Sequence, residues 1–344
     1  MSDELIGKST FGSIYKRDNI AIKRQLLYNG VNLSMNAIRE AAILTHCDSP
    51  RIVKPSKIYR DKNELVIEMG LYKSIFTSKN ITRTMTSAIE GLVYLHDNGI
   101  IHGDIKPGNI MIDDNDDAVY IDFGNSTLGV KPKTGTRRYV SPENYKHIQS
   151  GKETDIWSLG ITFIQLIYDQ QHIKDFVIKY HDLDNFIVLH KMKDPMLLGM
   201  VEIDYKIRWT AHKCYEYITG HKSITKLIKI RKVPKMTIAK GDITLRVRDI
   251  AMEWIQKLLP RRLFPHFTAL HDHYIATCGH NINVDKYQTY CIVFLKIIYT
   301  LHLPLLGMTI KRVCKLYPDL DPHSYKDIFM NVIDKLSFKC IMIN

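Results

Sequence analysis

Hydrophobic and polar positions change rhythm twice along this chain. Over the first 70 residues, short β-rich runs (Ser13 to Tyr15, Ile20 to Lys23, Leu65 to Glu68) alternate with one helical stretch, Asn36 to Leu44. From Ile81 the period turns helical. Ile81 to His96 keeps an apolar face and runs into Asn98-Gly99, a helix stop. Ile156 to Tyr168 is apolar almost all round, which marks a buried central helix. Between these helices, short apolar runs at Ile110 to Ile112 and Val119 to Ile121 read as strands. Arg231 to Asp242 carries Pro234 and Gly241 and no helical period, which predicts a seam. Beyond it lie five stripes with i, i+3, i+4 spacing. Val247, Ile250, Ala251, Trp254 and Leu258 form the first; Phe264, Phe267, Leu270, Tyr274 and Ile275 the second; Tyr287, Tyr290, Cys291, Phe294, Leu295 and Ile298 the third. Ile310, Val313 and Cys314 mark a short fourth, and Tyr325, Ile328, Phe329, Val332, Ile333 and Leu336 the fifth. These stripes predict an all-helical domain of about 100 residues.

Composition mainly excludes. At 344 residues the chain suits two domains, and its 45% hydrophobic and 24% charged content is that of globular proteins. No run of about 18 apolar residues is present, so no transmembrane helix is expected. Met1 to Lys8 has acids and no apolar core, unlike a signal peptide. Six scattered cysteines without a C-x-x-C pair fit a reducing interior, so an intracellular site in cytoplasm or nucleus is expected. The formal charge is +12, of which +4 lies from Gly241 onward and +8 before it. The excess is spread along the length, so specific nucleic-acid binding gains no support.

The chemistry concentrates in the middle of the chain. His102 to Asn109 reads HGDIKPGN, after a helix and before a strand. From one loop, Asp104 can orient or deprotonate a hydroxyl, Lys106 can neutralise a phosphate, and Asn109 can hold a metal ion. Asp122-Phe123-Gly124 follows an apolar strand and supplies a carboxylate suited to magnesium. Upstream, Ala21-Ile22-Lys23 puts a lysine at the end of a strand, and Glu40 on the next helix can pair with it. Gly7-Lys8-Ser9-Thr10-Phe11-Gly12 is a small-residue turn able to fold over phosphates.

In their order and spacing these five pieces resemble the eukaryotic protein kinase family, over about Met1 to Lys232. Gly135 to Glu143 (GTRRYVSPE) resembles the end of an activation segment, and Asp155 to Gly160 (DIWSLG) the start of the buried central helix. The resemblance implies an α+β bilobal fold over 1–235, with a β-rich small lobe at about 1–70 and a helical large lobe at about 71–235. It implies transfer of the ATP γ-phosphoryl group with Mg²⁺ to a protein substrate. Asp104 is then the catalytic base and Lys106 stabilises charge at the γ-phosphate. Asn109 and Asp122 hold metal. Lys23 contacts the α/β-phosphates and Glu40 orients it. Ile6, Gly7, Gly12, Ile14, Ala21, Glu68 and Met69 complete the ATP site. Thr136 favours Ser/Thr substrates, and Asp155 holds the catalytic loop through backbone N–H groups. The chain departs from the family at Ser9, in place of a middle glycine. It departs again at Gly103, in place of the arginine that grips an activation-segment phosphate. The segment from Asp122 to Glu143 is short, at 22 residues. No arginine stands out as the partner of Glu143, and Lys222 is the nearest substitute.

Ala37-Ile38-Arg39-Glu40 reproduces the partner-helix tetrad of the cyclin-dependent kinases. The tail, 244–344 after a linker at 236–243, resembles a single five-helix cyclin box. Arg248 precedes Trp254 by six residues, Asp272 stands where the second cyclin helix pairs with that arginine, and Lys296 stands where cyclins cap the partner kinase. Phe329 replaces the usual fifth-helix glutamate. This resemblance implies an intramolecular cyclin-like partner docking on Ile38 and Arg39. A different class, a catalytically dead adaptor, is disfavoured by intact Lys23, Asp104, Asn109 and Asp122.

Overall fold

The computed structural model describes residues 3–9, 12–29, 32–128, 135–146, 151–168, 192–223, 245–258, 263–278, 287–302, 327–329 and 331–332. The expected seam at Arg231 to Asp242, the fourth tail stripe and most of the fifth lie outside them.

The chain opens with β1 (Glu4–Ser9), β2 (Gly12–Arg17) and β3 (Ile20–Leu26), continued by β4 (Pro55–Asp61) and β5 (Glu64–Gly70). They form one antiparallel sheet in the order β1-β2-β3-β5-β4. The β2–β3 pairing requires Gly12, because a Cβ there would sit 2.0 Å from the Arg24 carbonyl oxygen. Between β3 and β4 the chain forms α1 (Met35–His46), longer at both ends than its apolar stripe predicts. Its alanines favour helix, and Ala37, Ile38, Ala41 and Ala42 are buried in the core.

The second layer is helical. α2 (Ile81–Asp97) is capped by the Asn80 side chain, which accepts from the Arg83 N–H at 3.0 Å, and the chain turns away at Gly99 with φ of 70°. Two short strands, β6 (Ile100–Ile101) and β7 (Ile110–Ile112), flank the HGDIKPGN loop. β8 (Ala118–Tyr120) pairs with β7, and β9 (Thr127–Leu128) with β6. The Tyr120 ring lies over α2 so closely that a Cβ on Gly91 would come within 2.8 Å of it, and its hydroxyl donates to the Ala88 carbonyl at 2.8 Å. α3 (Glu153–Ile167) is buried over most of its surface, as its all-round apolar pattern predicts, and α4 (Ala211–Thr219) packs against α2.

A fully enclosed ion pair ties this layer together. Arg208 donates to both Glu143 carboxylate oxygens at 2.7 and 2.9 Å and also to the Glu153 carbonyl at 2.8 Å, with its guanidinium beneath the Trp157 ring. The partner of Glu143 is therefore Arg208 and not Lys222. Arg208 stands between Ile207 and Trp209, ahead of the Thr210 helix cap, and nothing local in the sequence marks it as that partner.

Three tail stripes become α5 (Leu245–Leu258), α6 (Phe264–Cys278) and α7 (Tyr287–His302), and 327–329 and 331–332 are helical. Arg248 donates to Asp272 in a two-bond pair of 3.0 and 2.6 Å, the contact expected between first and second tail helices. Buried His271 bridges Asp272 and the Tyr287 hydroxyl, and burial lowers its pKa despite the adjacent carboxylate. Phe267, Tyr274, Phe294 and Phe329 fill the interior. α7 lies against both α1 and β9, so the tail reaches the helix that carries Glu40. No described helix is long and apolar enough to cross a membrane.

Removing one member of a buried pair strands the other's charge. Arg208→Ala should cost about 3–5 kcal/mol in urea unfolding. A loss below about 1 kcal/mol would contradict the role given to this pair.

Candidate active site

The cleft between sheet and helices is a cavity of about 450 Å³. Ile6, Gly7, Lys8, Ile14, Ala21, Met69, Leu71, Met111 and Ile121 line its walls, and Lys23, Glu40, Asp104, Lys106, Asn109 and Asp122 lie at its polar end. Strand alternation explains the placement. Ala21 and Lys23 sit two residues apart on β3 and so share a face.

Lys23 is 3% exposed and makes three charge-assisted bonds, to Glu40 Oε1 and Oε2 at 2.7 Å each and to Asp122 Oδ1 at 2.8 Å. Burial works against its charge, yet the two carboxylates outweigh that and raise its pKa. Burial pushes the fully enclosed Glu40 upward, while burial of Asp122 is outweighed by Lys23, which holds that carboxyl below the usual range. Gln25 adds a further donor to Glu40 Oε2 at 2.6 Å. Sequence reading missed it, because nothing in the alternation of β3 sets a buried glutamine apart.

Asp122 has a left-handed backbone, φ 61° and ψ 73°, an uncommon state for a residue with a side chain that turns its carboxylate toward Lys23. Asp122 Oδ1 accepts from Lys23, and the carboxylate can also take a cation. Asn109 Nδ2 donates to the Asp104 carbonyl at 2.8 Å and its carboxylate at 3.1 Å, which leaves Asn109 Oδ1 as an acceptor. Both ligand atoms are hard oxygens lining the same cleft, and that chemistry fits Mg²⁺.

The catalytic loop hangs from Asp155. That 1% exposed carboxylate accepts from the N–H groups of His102 at 2.7 Å and Gly103 at 2.9 Å, as expected from the sequence, and also contacts His96 at 3.1 Å. Gly103 has φ of 79°, a conformation that glycine takes without strain. Buried His102 faces the Ile121 carbonyl through Nε2 at 3.0 Å and the Asp104 N–H through Nδ1 at 3.3 Å. Asp104 Oδ1 accepts from the Thr136 N–H and hydroxyl at 2.8 Å each, and Lys106 Nζ donates to Asp104 Oδ2 and Thr136 Oγ at 2.7 Å each. The loop and the end of the activation segment are thus one hydrogen-bonded unit.

Several expected residues fall elsewhere. Glu68 does not line the cleft: its carboxylate lies against β4 and accepts from the Tyr59 hydroxyl at 3.1 Å. The cleft wall continues instead through Met69, Gly70, Leu71 and Tyr72. Gly12 lies outside the lining, held by strand pairing rather than by proximity to the cleft. Arg39 is buried and donates to the Gly124 carbonyl at 2.9 Å, so among the described residues it reaches the Asp-Phe-Gly turn. Burial alone lowers its pKa to about 10. Ile38 is 1% exposed within α1. The side chains of Ser9 and Lys296 lie outside the described residues.

If Asp104 is the base, Asp104→Asn should lower phosphoryl transfer by about 10² or more while nucleotide binding persists. Asp122→Asn should instead weaken Mg²⁺-dependent nucleotide binding, read by titration with and without the metal. Unchanged transfer in the first variant would overturn the assignment.

Curated proteins are similar to this chain over part of its length. A probable serine/threonine-protein kinase of Dictyostelium discoideum is 27% identical over 190 residues, which is 48% of this chain and 41% of that protein. Cell division control protein 7 of Schizosaccharomyces pombe is 30% identical over 211 residues, 55% of this chain and 19% of that protein. Serine/threonine-protein kinase pakH of D. discoideum is 31% identical over 186 residues, 47% of this chain and 36% of that protein. The matched segments thus span less than half of each relative's length. Residues 2–230, about two thirds of the chain, match the protein kinase domain family, and by that match and its site this chain belongs to the protein kinase family.

Proposed function

We propose that this chain is a protein-serine/threonine kinase that moves the ATP γ-phosphoryl group to a protein hydroxyl. The observation that carries this reading is the meeting, in one cleft, of the Lys23–Glu40–Asp122 cluster with Asp104 and Lys106, both bonded to Thr136. Asp104 orients the acceptor hydroxyl and takes its proton, and Lys106 offsets negative charge between acceptor and donor. Lys23, fixed by Glu40, positions the α/β-phosphates. Asn109 and Asp122 would hold Mg²⁺, which when bound would neutralise the phosphate oxygens. Apolar walls from Ile6, Ile14, Ala21 and Met69 receive the base.

The helical tail is proposed to act as a cyclin-like activator in cis. α1 must stay inward for Glu40 to reach Lys23, and α7 lies against α1 and against β9, which follows the Asp-Phe-Gly turn. Tethering sets a high effective concentration, roughly millimolar for a short linker, so a weak interface suffices. Holding α1 inward then acts as a population shift. Deleting 244–344 should leave a folded but nearly inactive kinase, partly restored when the tail is added in trans. Full activity of the truncated protein would refute the activator role.

Activation should need no phosphate on the activation segment. Gly103 brings no guanidinium, Arg39 is committed to the Gly124 carbonyl, Thr127 is 2% exposed, and the Thr136 hydroxyl is held between Asp104 and Lys106. Protein shown by mass spectrometry to be unmodified at Thr127, Thr134 and Thr136 should be active. Strict dependence on a phosphate at any of these would overturn this.

A further inference from the structure

Charges around the acceptor position are unevenly committed. Three carboxylates lie close to it, and interior donors hold each of them. Asp104 is taken by Asn109, Lys106 and Thr136, Asp155 by His96 and two loop N–H groups, and Glu143 by Arg208. Among the described residues, these three carboxylates are engaged by the protein's own donors.

The cations differ. Thr136 is bonded to Asp104, the group that the acceptor hydroxyl must reach, so Thr136 adjoins the acceptor position. Arg137 is the next residue, with its Cα about 3.8 Å along the chain. It is exposed, and among the described residues it forms no ion pair. The turn that follows is fixed, since the Tyr139 N–H donates to the Thr136 carbonyl at 2.8 Å. Arg138 is half-buried, and Arg137 is the more exposed of the two arginines beside Thr136. An arginine fork in water without a carboxylate partner recognises planar oxyanions, carboxylate or phosphate.

We propose that Arg137 is a specificity determinant that selects substrates with an acidic group on the residue beside the phosphoacceptor. This rests on the kinase reading above and adds its substrate class. Electrostatic complementarity of this kind discriminates among partners more than it raises affinity overall, so the expected signature is a ratio between peptides.

The test uses the full chain and two readouts. Fluorescein-labelled peptides with alanine at the acceptor position carry Glu, phosphoserine, Ala, Pro or Lys at the positions immediately before and after it, and binding is followed by anisotropy. Matched serine peptides report transfer. Glu or phosphoserine peptides should bind at least about tenfold tighter than the Ala peptide, as one charge-assisted contact implies. That advantage should shrink as salt rises. A lead of phosphoserine over Glu assigns a previously phosphorylated substrate, and the reverse an acidic one; either order supports the proposal. Arg137→Gln should level the series and Arg137→Glu should invert it toward Lys. Exposure of the side chain makes both substitutions compatible with folding, checked by thermal unfolding. Acid preference in binding without any transfer would refute the kinase reading and sustain this one. Equal or tighter binding of Ala, Pro or Lys peptides, or an acid preference unchanged in Arg137→Glu, would overturn it.

Discussion

A lysine ammonium sealed away from water is the constraint around which the rest of this fold is arranged. At 3% exposure, Lys23 cannot remain charged unless carboxylates replace its hydration, and the structure supplies two, from α1 and from the Asp-Phe-Gly turn. Each must be held in turn. Glu40 requires α1 to stay packed against the sheet, with Gln25 as a second donor. Asp122 requires a left-handed backbone that only the surrounding packing sustains. Arg39 connects the two supports, because it rises from α1, one residue before Glu40, and bonds the carbonyl of Gly124.

From that cluster the organisation extends in two directions. Toward the helical layer, Asp155 suspends the catalytic loop, Asp104 bonds Thr136, and Glu143 with Arg208 anchors the far end of the activation segment. Toward the tail, α7 lies on α1 and β9, the elements flanking the Lys23 cluster. A domain in that position can bias the cluster without contributing an atom to it. The Arg248–Asp272 pair and buried His271 keep the tail's own helices in register.

What the sequence disclosed follows from how local each signal is. Strands β2, β3 and β5, helices α1 to α3 and the HGDIKPGN loop announce themselves within a dozen residues, through periodicity and turn chemistry, and appear where expected, whereas β4 and α4 have no such local signal. Lys23, Glu40, Asp104, Asn109 and Asp122 share one cleft because their spacing fixes which strand end or helix face each occupies. Pairings over long separation were harder. Arg208 meets Glu143 across 65 residues, and neither the intervening composition nor the period points to it. Glu68 follows the same limitation: alternation says that successive β5 residues take opposite faces, but not which of the two faces the cleft. Arg39 lies in a motif whose resemblance implies a docked partner, while the fold brings the Gly124 carbonyl within its reach.

The central claim, that Lys23 and Glu40 work as one unit in phosphoryl transfer, is tested most directly by a double-mutant cycle on kcat/KM with the full chain and Mg-ATP. Lys23→Met and Glu40→Gln should each lower kcat/KM by about 10² or more, and the double variant should be no worse than the weaker single one. Losses that multiply in the double variant, or a Glu40→Gln enzyme as fast as the parent, would contradict it.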